Sequence, residues 1–243
     1  MFSAGDFGPG LFSEVLAATQ NAGYAFSRFD RALPPGKVFL LRHDVDISPR
    51  NARVLGRLAR ERDVTSNFFF QLNAETYNIF SDEVIDIMRE LRGSGHCVGL
   101  HIDQARFGED EGTIRRTIDW FSSSVLTIDD AVSFHRPSET VLGKRYTAFH
   151  NAYESRFFSP ETYLSDSRRS IAFLPALADW LASGRPRIQL LLHPEWWAGI
   201  NDDLGVWTEL RARRQYELEQ YLMINCRKVF SDVIAAETRD FRI

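Results

Sequence analysis

Apolar residues fall along this chain in two alternating rhythms. The segments KVFLLRHDVD (37–46), TSNFFFQL (65–72), CVGLHID (97–103), AVSFHRP (131–137) and RIQLLLHP (187–194) are short and almost continuously apolar, as strands covered on both faces are. TYLSDS (162–167) is a weaker run of the same kind. Between these runs the apolar residues recur every three or four positions. Ala52, Leu55, Leu58 and Ala59 predict a helix. Ser48 caps it and Pro49 takes its first position, where a missing N–H costs nothing. Val84, Ile87, Met88 and Leu91 predict the inner face of a second helix, opened by Ser81 with Asp82 and Glu83 and stopped by Gly93 and Gly95. Further helices are expected near 110–125, 173–183 and 203–238.

Strands alternating with helices imply an α/β fold with a parallel sheet, here as one domain over 1–243. No G-x-G-x-x-G or P-loop pattern follows the first strand, which argues against a nucleotide-binding open sheet. The polar residues collect instead at the ends of several strands: Asp44 and Asp46, His101 and Asp103, His135 and Arg136, Asp166, and His193. Functional residues gather at the carboxyl ends of the strands in (β/α) barrels, so a distorted barrel is expected. Residues 138–161 carry Tyr146, Tyr153 and Phe157 and predict a long loop that shapes substrate access.

Composition narrows the function classes. The 243 residues are 44% hydrophobic with a net charge of −4, a globular balance without the basic excess of a nucleic-acid binder. Cys97 and Cys226, the two cysteines, make neither a disulfide framework nor a cysteine zinc site. No apolar run reaches membrane-spanning length, and MFSAGDFGPG lacks the basic and apolar regions of a signal peptide, so a cytoplasmic protein is expected.

The strand ends carry the chemistry. Asp44 and Asp46 stand two residues apart and so share one face, where two carboxylates repel unless a cation or proton intervenes. A solvated turn is the bland alternative, but Ser48 already supplies the helix cap. One metal ligand and one general base is the sharper reading. His101, His135 and His193 end three further strands. Histidine and carboxylate around a divalent ion suit zinc, which in catalytic sites takes three protein ligands and leaves a position for water. Trp196 and Trp197 follow His193 and offer aromatic faces to a sugar ring, or cover the barrel rim. Arg168 and Arg169 follow Asp166 and suit a carboxylate or phosphate, or form a solvated turn.

In order and placement these motifs resemble the polysaccharide deacetylase superfamily, carbohydrate esterase family four and its relatives, over roughly residues 37–197. The spellings RHDVD, SFHRPS and LLLHPEWW are most similar to a bacterial branch associated with surface-polysaccharide assembly. The resemblance implies the distorted barrel and metal-dependent hydrolysis of N- or O-acetyl groups on sugars. It implies Asp44 as base, Asp46 and His101 as metal ligands, Arg136 as the orienter of Asp44, Asp166 as a supporting acid and His193 as general acid. The family's second histidine, four residues after the first, is Ala105 here. His135 is the preferred third ligand and Asp103 its rival, while His96 and His43 are expected to be structural.

The expectation is therefore a metal-dependent, most suitably zinc-dependent, deacetylase of an acetylated sugar or polysaccharide precursor. Two alternatives stand beside it: a hydrolase of C–N bonds in non-sugar amides, with or without metal, and a catalytically inactive binding subunit of a polysaccharide assembly system.

Overall fold

The computed structural model describes residues 2, 6–199 and 203–233. The chain divides into two compact units, Met1–Asn201 and Asp202–Ile243. In the first, α1 (Pro9–Asn21) and the short β1 (Ala25–Phe26) precede β2 (Val38–Val45), α2 (Pro49–Arg60), β3 (Asn67–Gln71), α3 (Asp82–Gly93) and β4 (Cys97–Asp103). The short α4 (Gln104–Phe107), α5 (Glu111–Ser124), β5 (Ala131–His135), β6 (His150–Asn151), β7 (Tyr163–Ser165), α6 (Leu174–Ser183) and β8 (Arg187–Leu192) follow. A single 3₁₀ turn, Pro194–Trp196, comes directly after β8 and His193.

The strands form one sheet in the order β6-β5-β4-β3-β2-β8-β7, with β1 beside the start of β2, and every pairing is parallel. The sheet curls strongly. Arg42 on β2 donates to Ser133 Oγ on β5 at 2.6 Å, although three strand spacings in a flat sheet would separate them by roughly 14 Å. The terminal strands β6 and β7 do not pair among the described residues, so the barrel is incomplete. Gln189 of β8 spans the interior instead, donating to the carbonyls of Ala152 and Phe157, each at 3.0 Å.

Strand alternation divides the two faces. Phe39, Leu41 and Val45 of β2, Phe68 and Phe70 of β3, and Val98, Leu100 and Ile102 of β4 pack outward in the core shared with the helices. Val38, Leu40, Phe69, Cys97 and Ala131 make a smaller inner core with Phe29 and Phe157. Along β2 that inward face then becomes Arg42, Asp44 and Asp46, so the interior passes from apolar to charged as the strands run toward their carboxyl ends. Gly99 lets β4 and β5 lie close: a Cβ there would meet the Ala131 carbonyl oxygen at 2.1 Å.

The helices begin where their signals stand. Ser48 Oγ accepts from the Asn51 N–H at 3.3 Å, and Val84, Ile87, Met88 and Leu91 are buried on α3. The sequence pattern assigned nothing before residue 37, yet α1 packs there, with Phe12, Val15 and Leu16 wholly buried. Its signal is Pro9 followed by an apolar 11–12–15–16 spacing. Residues 138–161 correct the expectation of an access loop. Tyr146, Tyr153 and Phe157 are all buried, and β6 lies within the segment. In the second unit α7 spans Asp203–Asn225; residues 234–238 of the expected helix fall outside the described residues. Among the described residues no helix is long and apolar enough to cross a membrane.

Candidate metal and acid–base site

The carboxyl ends of β2, β4 and β5 bring three donors together. Asp46 Oδ1 lies 3.2 Å from His101 Nε2 and 3.5 Å from His135 Nδ1, and the two imidazole nitrogens are 3.1 Å apart. Asp46 Oδ1 is buried and has no hydrogen-bond partner. Burial would raise this carboxyl, but the imidazoles of His101 and His135, when either carries a positive charge, outweigh it and hold Asp46 far below the usual carboxylate range. The Asp46 carboxylate, 3.5 Å away, in turn raises His135 against the effect of burial.

Ser133 fixes the proton on His101. His101 Nδ1 lies 2.9 Å from Ser133 Oγ and 3.2 Å from the Ser133 carbonyl oxygen. A carbonyl only accepts, so Nδ1 carries the hydrogen, and in the neutral ring the Nε2 lone pair faces Asp46. Asp46 Oδ1, His101 Nε2 and His135 Nδ1 thus converge as acceptors on one point. A proton on His135 meets part of that demand; a divalent cation meets all of it. The described residues therefore fit a metal ion through Asp46, His101 and His135. Asp103, the rival ligand, caps α4 by accepting from the Ala105 N–H at 3.0 Å.

Asp44 is held from an unexpected direction. Arg42, on the same strand face, donates Nε to Asp44 Oδ1 at 2.9 Å and Nη2 to Oδ2 at 2.6 Å. Arg42 is wholly buried and Asp44 is 2% exposed. Gln189 and Tyr153 also accept from Arg42, at 3.2 and 2.8 Å, and the guanidinium lies 4.3 Å from the Tyr153 ring centroid. Burial favours the neutral acid at Asp44, yet the charge of Arg42 prevails and keeps its pKa low. Ser133 Oγ donates to Asp44 Oδ2 at 3.1 Å, and that oxygen is 3.7 Å from His101 Nε2. Arg136 makes no contact with Asp44: it is exposed, with a left-handed φ of 50°, and Arg42 holds the carboxylate. The missed signal was the alternation itself, which puts residue 42 on the face of residues 44 and 46.

A third group completes the site. Asp166 accepts from His193 Nδ1 at 2.6 Å, from the His193 backbone N–H at 2.8 Å and from Trp197 Nε1 at 2.7 Å. His193 Nε2 faces Asp46 Oδ2 at 3.9 Å. Burial opposes a charge on His193, but its hydrogen bond with Asp166 and the surrounding carboxylates carry its pKa to about 10. Trp197, expected at a sugar or over the rim, is wholly buried against Phe7, Phe12 and Phe173. Its task is to hold Asp166. Trp196 is half-buried beneath the Arg169 guanidinium, and Arg168 is exposed. Glu195 went unremarked in the sequence; it is 2% exposed, its Oε2 has no hydrogen-bond partner, and burial pushes its carboxyl up to about 8.

The remaining histidines lie elsewhere. His96 accepts from the Ser66 N–H and faces the Gly56 carbonyl. His43 is buried outside the barrel, stacked on Phe68 with centroids 4.5 Å apart. A second group of possible donors, Asp30, Cys97 and Asp129, is already matched by Arg28, which pairs with both acids.

Neither a protein-family model nor a curated protein matches the chain. Similar solved structures are found. One is a CE4 family pseudoenzyme from Bacillus anthracis, with TM-score 0.42 and 14% identity over 78% of this chain and 65% of that one. Another is the chitin deacetylase of Colletotrichum lindemuthianum, with TM-score 0.41 and 14% identity over 71% and 78%. A third is a Streptococcus mutans CE4 esterase, with TM-score 0.44 and 14% identity over 82% and 91%. This chain thus spans slightly less than two thirds of the Bacillus anthracis protein.

Proposed function

We propose that the protein is a metal-dependent deacetylase of an acetylated sugar or polysaccharide precursor. The observation that carries this reading is the buried Asp46 Oδ1, without a hydrogen bond, facing two imidazole nitrogens. Asp46, His101 and His135 would hold a divalent ion, and the nitrogen-rich donor set suits zinc. Bound there, the ion would supply Lewis-acid polarisation of the acetyl carbonyl and make water more acidic.

The chain's own residues do the rest. Asp44, beside His101 and kept ionised by Arg42, takes a proton from the attacking water. Arg42 assumes the orienting role that the sequence motif gave to Arg136. His193 enters protonated and gives its proton to the departing amine or alcohol, with Asp166 fixing the ring and favouring the charged form. The assigned chemistry lies entirely within residues 37–197.

The test is acetate release from N- and O-acetylated sugars, with metal content measured in parallel, for the wild-type protein and Asp46→Asn. The wild type is expected to retain a divalent ion and the variant to lose it, with activity down at least about 1,000-fold. Equal metal content and equal activity in the two would refute the reading. Hydrolysis that persists after full chelation would move the assignment to a metal-independent C–N hydrolase. Saturable sugar binding without release would move it to a binding subunit.

A further inference from the structure

Four non-glycine residues among those described have left-handed backbone, and three are arginines that stand within three residues of a site residue in the chain: Arg136 (φ 50°), Arg168 (φ 61°) and Arg169 (φ 52°). Such residues rarely adopt this conformation, and where it persists the surroundings enforce it. Arg136 directly follows His135, and Arg168 lies two residues beyond Asp166. Their strands, β5 and β7, flank those that deliver Asp46, His101 and His193.

The charges of Arg136 and Arg168 are uncommitted. Many other arginines have acids: Arg28 pairs with Asp30 and Asp129, Arg57 with Glu90, and Arg115 with Asp119 and Asp130. Arg169 lies over the rings of Phe7 and Trp196, at 5.2 and 5.9 Å. Arg136 and Arg168 are exposed and have no ion pair or hydrogen bond among the described residues. Arg42 has taken the carboxylate that Arg136 was expected to hold. Asp166 is matched by His193.

Given the deacetylase reading, we infer that the substrate carries an oxyanion close to its acetyl group, and that Arg136 and Arg168 bind it from the two sides of the site. Guanidinium forks suit carboxylate and phosphate alike. An acidic sugar and a nucleoside-diphosphate-linked sugar are the two sources of that chemistry.

The experiment compares three substrates: a neutral N-acetylhexosamine oligosaccharide, an N-acetylhexosaminuronate oligosaccharide, and a nucleoside-diphosphate-linked N-acetylhexosamine. Acetate release is measured for the wild type, Arg136→Gln, Arg168→Gln and the double variant, with thermal melting to confirm folding. The wild type is expected to favour at least one charged substrate tenfold or more in kcat/KM, mainly through KM and less so at high salt. The charged-to-neutral ratio should fall about tenfold in the double variant, with part retained in Arg136→Lys. Preference for the uronate identifies a carboxylate, and preference for the nucleotide sugar a phosphate. Equal kcat/KM for all three in the wild type, or an unchanged ratio in the double variant, overturns the inference. If no substrate releases acetate, the deacetylase reading fails by itself. Calorimetric binding of the uronate and the nucleotide sugar then decides the anion site. Tenfold weaker binding by the double variant supports it; no binding, or unchanged affinity, overturns it.

Discussion

Asp44 and Asp46 stand on the same face of the same strand segment, yet the protein treats them oppositely. Asp44 lies deeper, with both oxygens committed to Arg42 and Ser133. Asp46 lies one step nearer the mouth, with a buried oxygen that faces two imidazoles but makes no hydrogen bond. The deeper pair is balanced within the chain: a cation from the same strand cancels the acid, and Gln189 and Tyr153 satisfy more of the guanidinium. The upper cluster has titratable imidazoles where the deeper pair has a fixed cation, so its acid is balanced in part by a proton on them and fully by an added cation. A buried charge is tolerated when it is paired, and here the pairing is built in at one level and left open at the next.

The largest expected effect tests the closed level. Arg42→Leu leaves Asp44 buried without its counter-charge and should destabilise the fold by about 3–5 kcal/mol, a loss of roughly 10 °C in melting temperature. Replacing both partners, Arg42→Leu with Asp44→Leu, should recover most of that loss, because the stranded charge goes too. Asp46→Leu in metal-free protein should cost clearly less, since its neighbours are titratable imidazoles at 3.2 and 3.5 Å and not a fixed guanidinium charge. If Arg42→Leu and Asp46→Leu melt alike, the distinction between the two levels is wrong.

A smaller effect comes from His193, which borders the open cluster. Its folded pKa of about 10 lies above the usual histidine value of 6.5. The stabilisation from its charged form is therefore complete below about pH 6.5, declines as pH rises and is gone above about pH 10. Metal-free protein titrated from pH 7 to 10 should lose roughly 5 °C in melting temperature, and His193→Gln should flatten that part of the curve. Glu195 also titrates near there, about pH 8, so the difference between wild type and His193→Gln is the quantity to measure. Parallel curves would mean that Asp166 does not hold a charged imidazole.

How much of this was legible depended on whether the signal was local. The main strands showed because their apolar runs are continuous, and helices such as α2 and α3 because their buried faces repeat at helical spacing. Asp46, His101 and His135 stood out because polar residues at the ends of buried strands are conspicuous. Arg42 was hidden by its position within such a run, although alternation alone puts it on the face of Asp44. The Trp197–Asp166 and Tyr153–Arg42 contacts join residues 31 and 111 positions apart, and nothing near either partner announces them. Arg136 misled because a motif fixes a residue's place in the chain while its backbone torsion decides which way it faces.

Ser133 is where the two levels meet, and it gives the smallest but most discriminating prediction. Its hydroxyl has one hydrogen, which goes to Asp44, and two acceptor sites, which take Arg42 Nη2 and the Nδ1–H of His101. Ser133→Ala removes no charge and leaves the backbone carbonyl able to accept from His101. The expected loss of stability is about 1 kcal/mol, a typical net hydrogen bond, or roughly 3 °C. If the levels are coupled, metal affinity should also fall about tenfold, as it does when a ligand's outer partner is removed. Both changes should appear in one protein, by melting for the Arg42–Asp44 pair and by competition with a chelator for the Asp46 cluster. A stability loss with unchanged metal affinity would make the two levels independent, and Ser133 merely a packing neighbour of His101.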